Sequence, residues 1–187
     1  YGDFEAMFDQ IHGKEISYNN LLDINAAVDL IDEFDETTFA ILKHNNACGL
    51  ASRDTLLAAW TDALAGDPVS AFGGVLITNR AIDKETAEEI NKIFFEVIIA
   101  PDYDVNALEI LTQKKNRIIL VRKETEMPRQ QYRSVLNGVL VQDRDLKTET
   151  PEDCKPVTNK VATAEEIDDM LFANKKEKIS KSNAIVL

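Results

Sequence analysis

Lys43-His44 is the sharpest chemical feature of this sequence. Imidazole is the side chain closest to a neutral-pH proton acceptor. A lysine beside it can set a positive charge against a developing oxyanion. Gly49, at the far end of the same stretch KHNNACG, gives the chain freedom to approach a ligand. By composition alone, however, the pair fits a solvated Lys and a structurally hydrogen-bonded His better. The turn SAFGG, Ser70 to Gly74, offers a second feature, because Gly73 and Gly74 let backbone amides come close to an anionic or planar ligand. It lacks the spacing of a P-loop or dinucleotide fingerprint, and by itself a plain turn before a strand accounts for it better. Cys48 follows His44 by four residues and raises a thiol paired with an imidazole. In a loop such spacing does not bring side chains together, and a small buried thiol is the better reading. His12 reads as a surface or turn residue, and Cys154 sits in a polar stretch. The two histidines and two cysteines lack metal-ligand spacing, and the zinc deaminase signature is absent. The run Lys175-Lys176-Glu177-Lys178 reads as a solvated helix face, whereas Lys181 has a better claim on a ligand because it precedes Asn183.

These residues need elements to hold them. SYNNLLDINAAVDLIDEF predicts a helix with Leu22, Ala26, Leu30, Ile31 and Phe34 on one face and Asn19 or Asn20 as its cap. TFAIL, Thr38 to Leu42, predicts a strand, so that KHNNACG leaves a strand end as a loop. Open α/β sheets place ligands outside the carboxyl ends of their strands. A helix over Asp54 to Ala65 follows, with Ser52 as cap and Gly66 as stop. Then come strand GVLIT, helix Lys84 to Ile93, strand EVIIA, helix Val105 to Lys114 and strand Ile118 to Val121. Asn137-Gly138 between apolar runs predicts a hairpin. Asp143 to Lys160 is a polar connector, after which a helix from Ala164 to Lys178 leads into a strand SNAIVL. The alternation predicts an α/β fold, a layered mixed sheet with helices on both faces.

The 187 residues can bury one good core. Twenty-one Lys and Arg against 33 Asp and Glu give a net charge of −12, which opposes nucleic-acid and anionic-membrane partners. A phosphorylated substrate would need a locally basic pocket in this acidic molecule. No apolar run approaches the ~18 residues of a membrane span. The acidic, amphipathic start is unlike a secretory signal, so a cytosolic location is expected. Two cysteines do not make a disulfide framework. An apolar strand ending at Leu187 and a start at Tyr1 suggest an excised piece of a longer protein.

Taken in order, GKEISYNNLLDINAA, ILKHNNACG, DPVSAFGG, EVIIAP, KKNRIILV and KSNAIV resemble the bacterial bifunctional AICAR transformylase/IMP cyclohydrolase family over essentially the whole chain. Six ordered blocks are more specific than any one motif and reverse the reading of Lys43-His44. The resemblance implies transfer of a formyl group from 10-formyltetrahydrofolate to the 5-amino group of AICAR, the aminoimidazole carboxamide ribotide. It assigns catalytic roles to Lys43, His44 and Asn183, and substrate contacts to Gly73, Ser70 and Glu96. One departure is Ala47, where relatives commonly have Pro. The resemblance further implies a cytidine-deaminase-like α/β unit over residues 1–160 with its connector, and the start of a second unit over 161–187. The cyclohydrolase domain, an Arg-Tyr substrate motif before Tyr1, and the groups completing the folate and phosphate sites would lie outside. The family implies a homodimer with shared active sites, and small-molecule partners only.

The chemistry agrees. The acceptor amine is conjugated to a carboxamide-bearing imidazole and needs a base as it attacks, which is the role of His44. Lys43 and Asn183 suit the oxyanion that forms on the formyl carbon. His44 can return the proton to the departing folate nitrogen, so no metal or nicotinamide is needed. Two other readings stay open: a non-catalytic ligand-binding or dimerisation module, and a deaminase-like hydrolase that the missing zinc ligands disfavour.

Overall fold

The computed structural model describes residues 2–186. Two compact units divide them: one runs to Lys123 and resumes from Phe172, and the other spans Glu124–Leu171. The first unit is built on a six-stranded sheet of order β1-β6-β5-β4-β2-β3. Its strands are β1 (Phe8–His12), β2 (Thr38–Lys43), β3 (Asn46–Ser52), β4 (Gly74–Thr78), β5 (Phe95–Ala100) and β6 (Ile118–Arg122). β4, β5 and β6 are mutually parallel, while β1, β2 and β3 join antiparallel, so the expected mixed sheet is present.

Strand alternation assigns the two faces. On one face Phe39, Ile41, Leu76, Ile98 and Ile119 pack against α3 (Leu56–Gly66), α4 (Lys84–Ile90) and α5 (Val105–Leu111). Trp60 of α3 meets Phe39 edge-on, with ring centroids 5.0 Å apart. On the other face Ala40, Leu42, Val75, Ile77, Val97, Ile99 and Leu120 receive α2 (Tyr18–Ile31). Central strands buried on both sides read as continuous apolar runs, which is why GVLIT and EVIIA were legible. Near α5, the Tyr103 hydroxyl donates within reach of the Ile98 and Leu120 carbonyls, and burial pushes its pKa well above the usual phenol value.

Several boundaries differ from expectation. α2 is capped by Ser17, not by Asn19 or Asn20: the Ser17 hydroxyl accepts from the Asn20 amide while the Asn20 side chain reaches back to the Ser17 N–H. Leu30, Ile31 and Phe34 are buried as expected, but Leu22 is 42% exposed, and Ile24, Ala27 and Val28 complete the buried face. α3 begins after Thr55, whose hydroxyl caps it, because the Ser52 hydroxyl is engaged with Thr38 across the β2–β3 ladder. α4 and α5 each stop three residues early, their chains tightening into Ile93 N–H to Ile90 and Gln113 N–H to Ile110 bonds. A short helix α1 (Phe4–Met7) and the edge strand β1 were not anticipated.

α6 (Ala164–Ile179) enters the first unit from Phe172. There Phe172 packs on Phe34, the Lys175 ammonium lies 4.7 Å from the centre of the Phe34 ring, and Lys178 pairs with Glu33 at 2.7 Å with both side chains nearly buried. Residues 180–186 form no strand, contrary to expectation for SNAIVL, whose last residue Leu187 lies outside the described residues. Within the second unit, β7 (Gln130–Val135) and β8 (Gly138–Asp143) form the expected hairpin. Its two-residue loop is Leu136-Asn137 rather than Asn137-Gly138, with Leu136 at φ 52°.

Candidate active-site cleft

KHNNACG does not leave β2 as a loop. Lys43 pairs with Asn46, so His44 and Asn45 alone make the turn into β3, with φ of 53° and 65°. Two successive positive φ values define the turn type that suits the right-handed twist of a hairpin. Asn and His tolerate this left-handed region better than most residues. From α2, the Asp23 carboxylate accepts the Asn45 N–H at 2.6 Å and fixes the turn from outside the strands. His44 stands exposed at its tip.

Lys43 is half-buried beneath the turn. Its ammonium donates to the carbonyls of Phe72 at 2.9 Å and Gly73 at 2.8 Å. An ammonium has three donors, so one remains for a ligand. This arrangement requires glycine at 73: φ is +70°, and a Cβ there would sit 2.9 Å from the Lys43 nitrogen. The SAFGG turn is therefore a cradle for the lysine as well as an approach to the cleft. Ser70, at its head, points away from that role: its N–H donates to Asp67, and its hydroxyl and N–H together hold the Asp67 carboxyl below its usual pKa.

Glu96 reaches the cleft through an irregularity in β5. Gly74 pairs with Phe95 and Val75 with Val97, leaving Glu96 as the extra residue of a bulge. Bulges re-aim side chains, and here the carboxylate meets Lys14 at 3.0 Å. Lys14, Asp23, Lys43, His44, Gly73, Glu96 and Lys181 thus line one cleft of about 630 Å³, with the first turn of α2 along its wall. Three lysines and a histidine face one aspartate and one glutamate. This is the locally basic lining that an acidic protein needs to receive an anionic substrate.

The cleft lies beyond the carboxyl end of β2, as the strand rule suggests, but β2 runs against the parallel strands. For β4 and β5 it is the amino end that faces the cleft. Of the residues singled out by sequence, Lys43, His44, Gly73 and Glu96 converge here and Lys181 joins them. Ser70 and Asn183 are not among the lining residues, although Asn183 follows Lys181 by two positions and is exposed. Lys14, Asp23 and Asn46 escaped the sequence reading, since lone polar residues outside a glycine turn or strand end carry no signal by type. Cys48 is half-buried, its thiol donating to the Ile41 carbonyl at 3.4 Å, and burial pushes its pKa up. That environment disfavours a thiolate nucleophile. His12 sits at the end of β1, its Nε2 3.2 Å from the Lys114 carbonyl. Among the described residues, three or more His, Cys, Asp or Glu side chains nowhere gather as a metal would require, and none of the helices is long and apolar enough to cross a membrane.

Sheet and cleft together define an α/β protein with an open, polar cleft of small-molecule size. The family model described as AICARFT/IMPCHase bienzyme matches residues 2–187, and the chain belongs to that family. It is 77% identical over 187 residues to the bifunctional purine biosynthesis protein PurH of Bacteroides thetaiotaomicron, covering all of this chain and 37% of that relative. The PurH proteins of Persephonella marina and Acetivibrio thermocellus are 48% and 47% identical over 182 residues, which is 95% of this chain and 35% of each relative. The chain thus spans about a third of the length of the curated relatives it matches.

Proposed function

We propose that this cleft is part of an AICAR transformylase site, transferring the formyl group of 10-formyltetrahydrofolate to the 5-amino group of AICAR on the way to IMP. The observation that carries this reading is the arrival of Lys43, His44, Gly73 and Glu96 from β2, its turn, the SAFGG turn and the β5 bulge at one basic-lined cleft. The acceptor nitrogen attacks the formyl carbon while His44 takes its proton. Electrons moving to the formyl oxygen make an oxyanion that the free donor of Lys43 stabilises, with Asn183 supplying an amide donor. Collapse of this intermediate breaks the bond from carbon to the folate nitrogen, which leaves with the proton from His44. The products are the formylated ribotide and tetrahydrofolate. Gly73 and Glu96 contact the substrate, and Ser70 serves by holding the turn that presents Gly73.

The same reading makes the protein cytosolic and homodimeric, with folate as co-substrate and IMP cyclohydrolase activity seated outside these residues. It also takes residues 1–160 as a deaminase-like unit and 161–187 as the start of a second. The test is a chimera in which these 187 residues replace the matching region of the Bacteroides thetaiotaomicron relative. Formyl transfer at a rate within about tenfold of that relative, a difference of ~1.4 kcal/mol in barrier, is expected. A folded chimera that cyclises preformed formylated substrate yet transfers no formyl group would overturn the proposal.

A further inference from the structure

Asn46 joins two parts of the cleft that are far apart in sequence. Its Nδ2 donates to the His44 carbonyl at 3.3 Å, across the turn it closes. Its Oδ1 accepts the Lys181 N–H at 2.9 Å, from a residue 135 positions away. One partner is an acceptor and the other a donor, so the group between them must supply one of each. A primary amide does so with two atoms on one planar group, and its orientation is fixed because the reverse would face like against like.

The Lys181 end of this link would otherwise be weakly held. Beyond α6 the chain makes a Ser180 N–H to Glu177 bond and then enters residues 181–186, which lie in no helix or strand. The Glu33–Lys178 pair and the Phe34–Phe172 contact dock the end of α6, but both lie on the helix itself. Among the described residues, Asn46 is the side chain that carries this anchoring forward to Lys181, whose own side chain lines the cleft. At the other end, the His44–Asn45 turn has positive φ at both residues and is held by Asp23 at Asn45 and by Asn46 at His44.

We infer that Asn46 is a positioning residue that fixes the His44 turn and the Lys181–Asn183 segment in one arrangement across the cleft. This rests on the transformylase reading only for its effect on rate; the mechanical link stands without it. A substrate that must be gripped from both sides at once gains from holding those sides at a set separation, since misplacement of reacting groups is costly in rate.

Two measurements separate the claims. In the intact 187-residue chain, amide hydrogen exchange at Lys181 reads the link directly. Asn46→Ala is expected to speed it roughly 3–10-fold, the effect of losing one hydrogen bond. Asn46→Asp retains the acceptor and should leave it slow, and Asn46→Ser should fall between. In the chimera, Asn46→Ala should lower kcat by about tenfold with a smaller change in KM, while the thermal midpoint stays near that of the parent. Asn46→Asp should lower kcat as well, because a carboxylate repels the His44 carbonyl. Asn46→Ser, whose hydroxyl can both donate and accept, should recover part of the rate. Equal Lys181 exchange in the parent and in Asn46→Ala would overturn the link, and a kcat in Asn46→Ala equal to the parent's would overturn the positioning role. A chimera inactive before any substitution would refute the transformylase reading and leave the exchange result to decide the link.

Discussion

Replacing His44 with Ala in the chimera is expected to lower formyl transfer by roughly 10²–10⁴-fold, the usual effect of removing a general base. Cyclisation of preformed formylated substrate should stay nearly intact. The side chain stands exposed at the tip of the β2–β3 turn and contributes nothing to either buried face of the sheet. Its loss therefore leaves the core unchanged. The backbone is more demanding than the side chain, since φ at 44 is 53° and Ala tolerates that region poorly. His44→Asn separates the two effects: Asn accepts a left-handed conformation but cannot take a proton at neutral pH. It should fold as well as the parent and be as inactive as Ala. Equal loss of both activities would indicate damage to the fold, and an active Asn variant would remove His44 from the role of base.

Lys43→Met should reduce kcat by roughly 10²–10³-fold, the range seen when one oxyanion donor is deleted, with a smaller effect on substrate affinity. The ammonium is held by the Phe72 and Gly73 carbonyls at 2.9 and 2.8 Å, so its position is set before substrate arrives. Such preorganisation is what makes a donor count in the transition state. Lys43→Arg should restore only part of the rate. A planar guanidinium presents its donors in a fork instead of around a point, and the space beside Gly73 is so close that even a Cβ there would sit 2.9 Å from the lysine nitrogen. An Arg variant as fast as the parent would show that the point charge has no special place in the mechanism.

The central sheet was legible because buried parallel strands are written as unbroken apolar runs, and Ile118 to Val121, GVLIT and EVIIA are such runs. β3 was not, and its residues explain why. NACGLAS is chosen for close packing, not for strand propensity: a Cβ on Gly49 would lie 2.1 Å from the Ala63 carbonyl of α3. Small residues that let a helix approach resemble a loop. β1 was hidden for a different reason, as an edge strand with Phe8 as its one buried residue and an ion pair from Asp9 to Lys123 at its rim. At the cleft, Lys43 and His44 could be found from adjacency and a strand end. The pairing of Glu96 with Lys14 could not, since it depends on a bulge that places one extra residue in β5. Nor could Asn46, whose partners lie two and 135 positions away.

In the proposed reaction, AICAR is received by the cleft between the His44 turn, the SAFGG turn and the β5 bulge. This is tested most directly by titrating the isotopically labelled 187-residue chain with AICAR and following backbone amide shifts residue by residue. With the phosphate and folate contacts of the proposed site lying outside these residues, binding is expected to be weak, with Kd about 1 mM or above, corresponding to ~4 kcal/mol or less. Shifts should concentrate at Lys14, Asp23, His44, Asn45, Gly73 and Glu96 and should follow one saturation curve. Saturable shifts centred elsewhere in the chain, with these six amides unmoved, would rule this cleft out as the AICAR site.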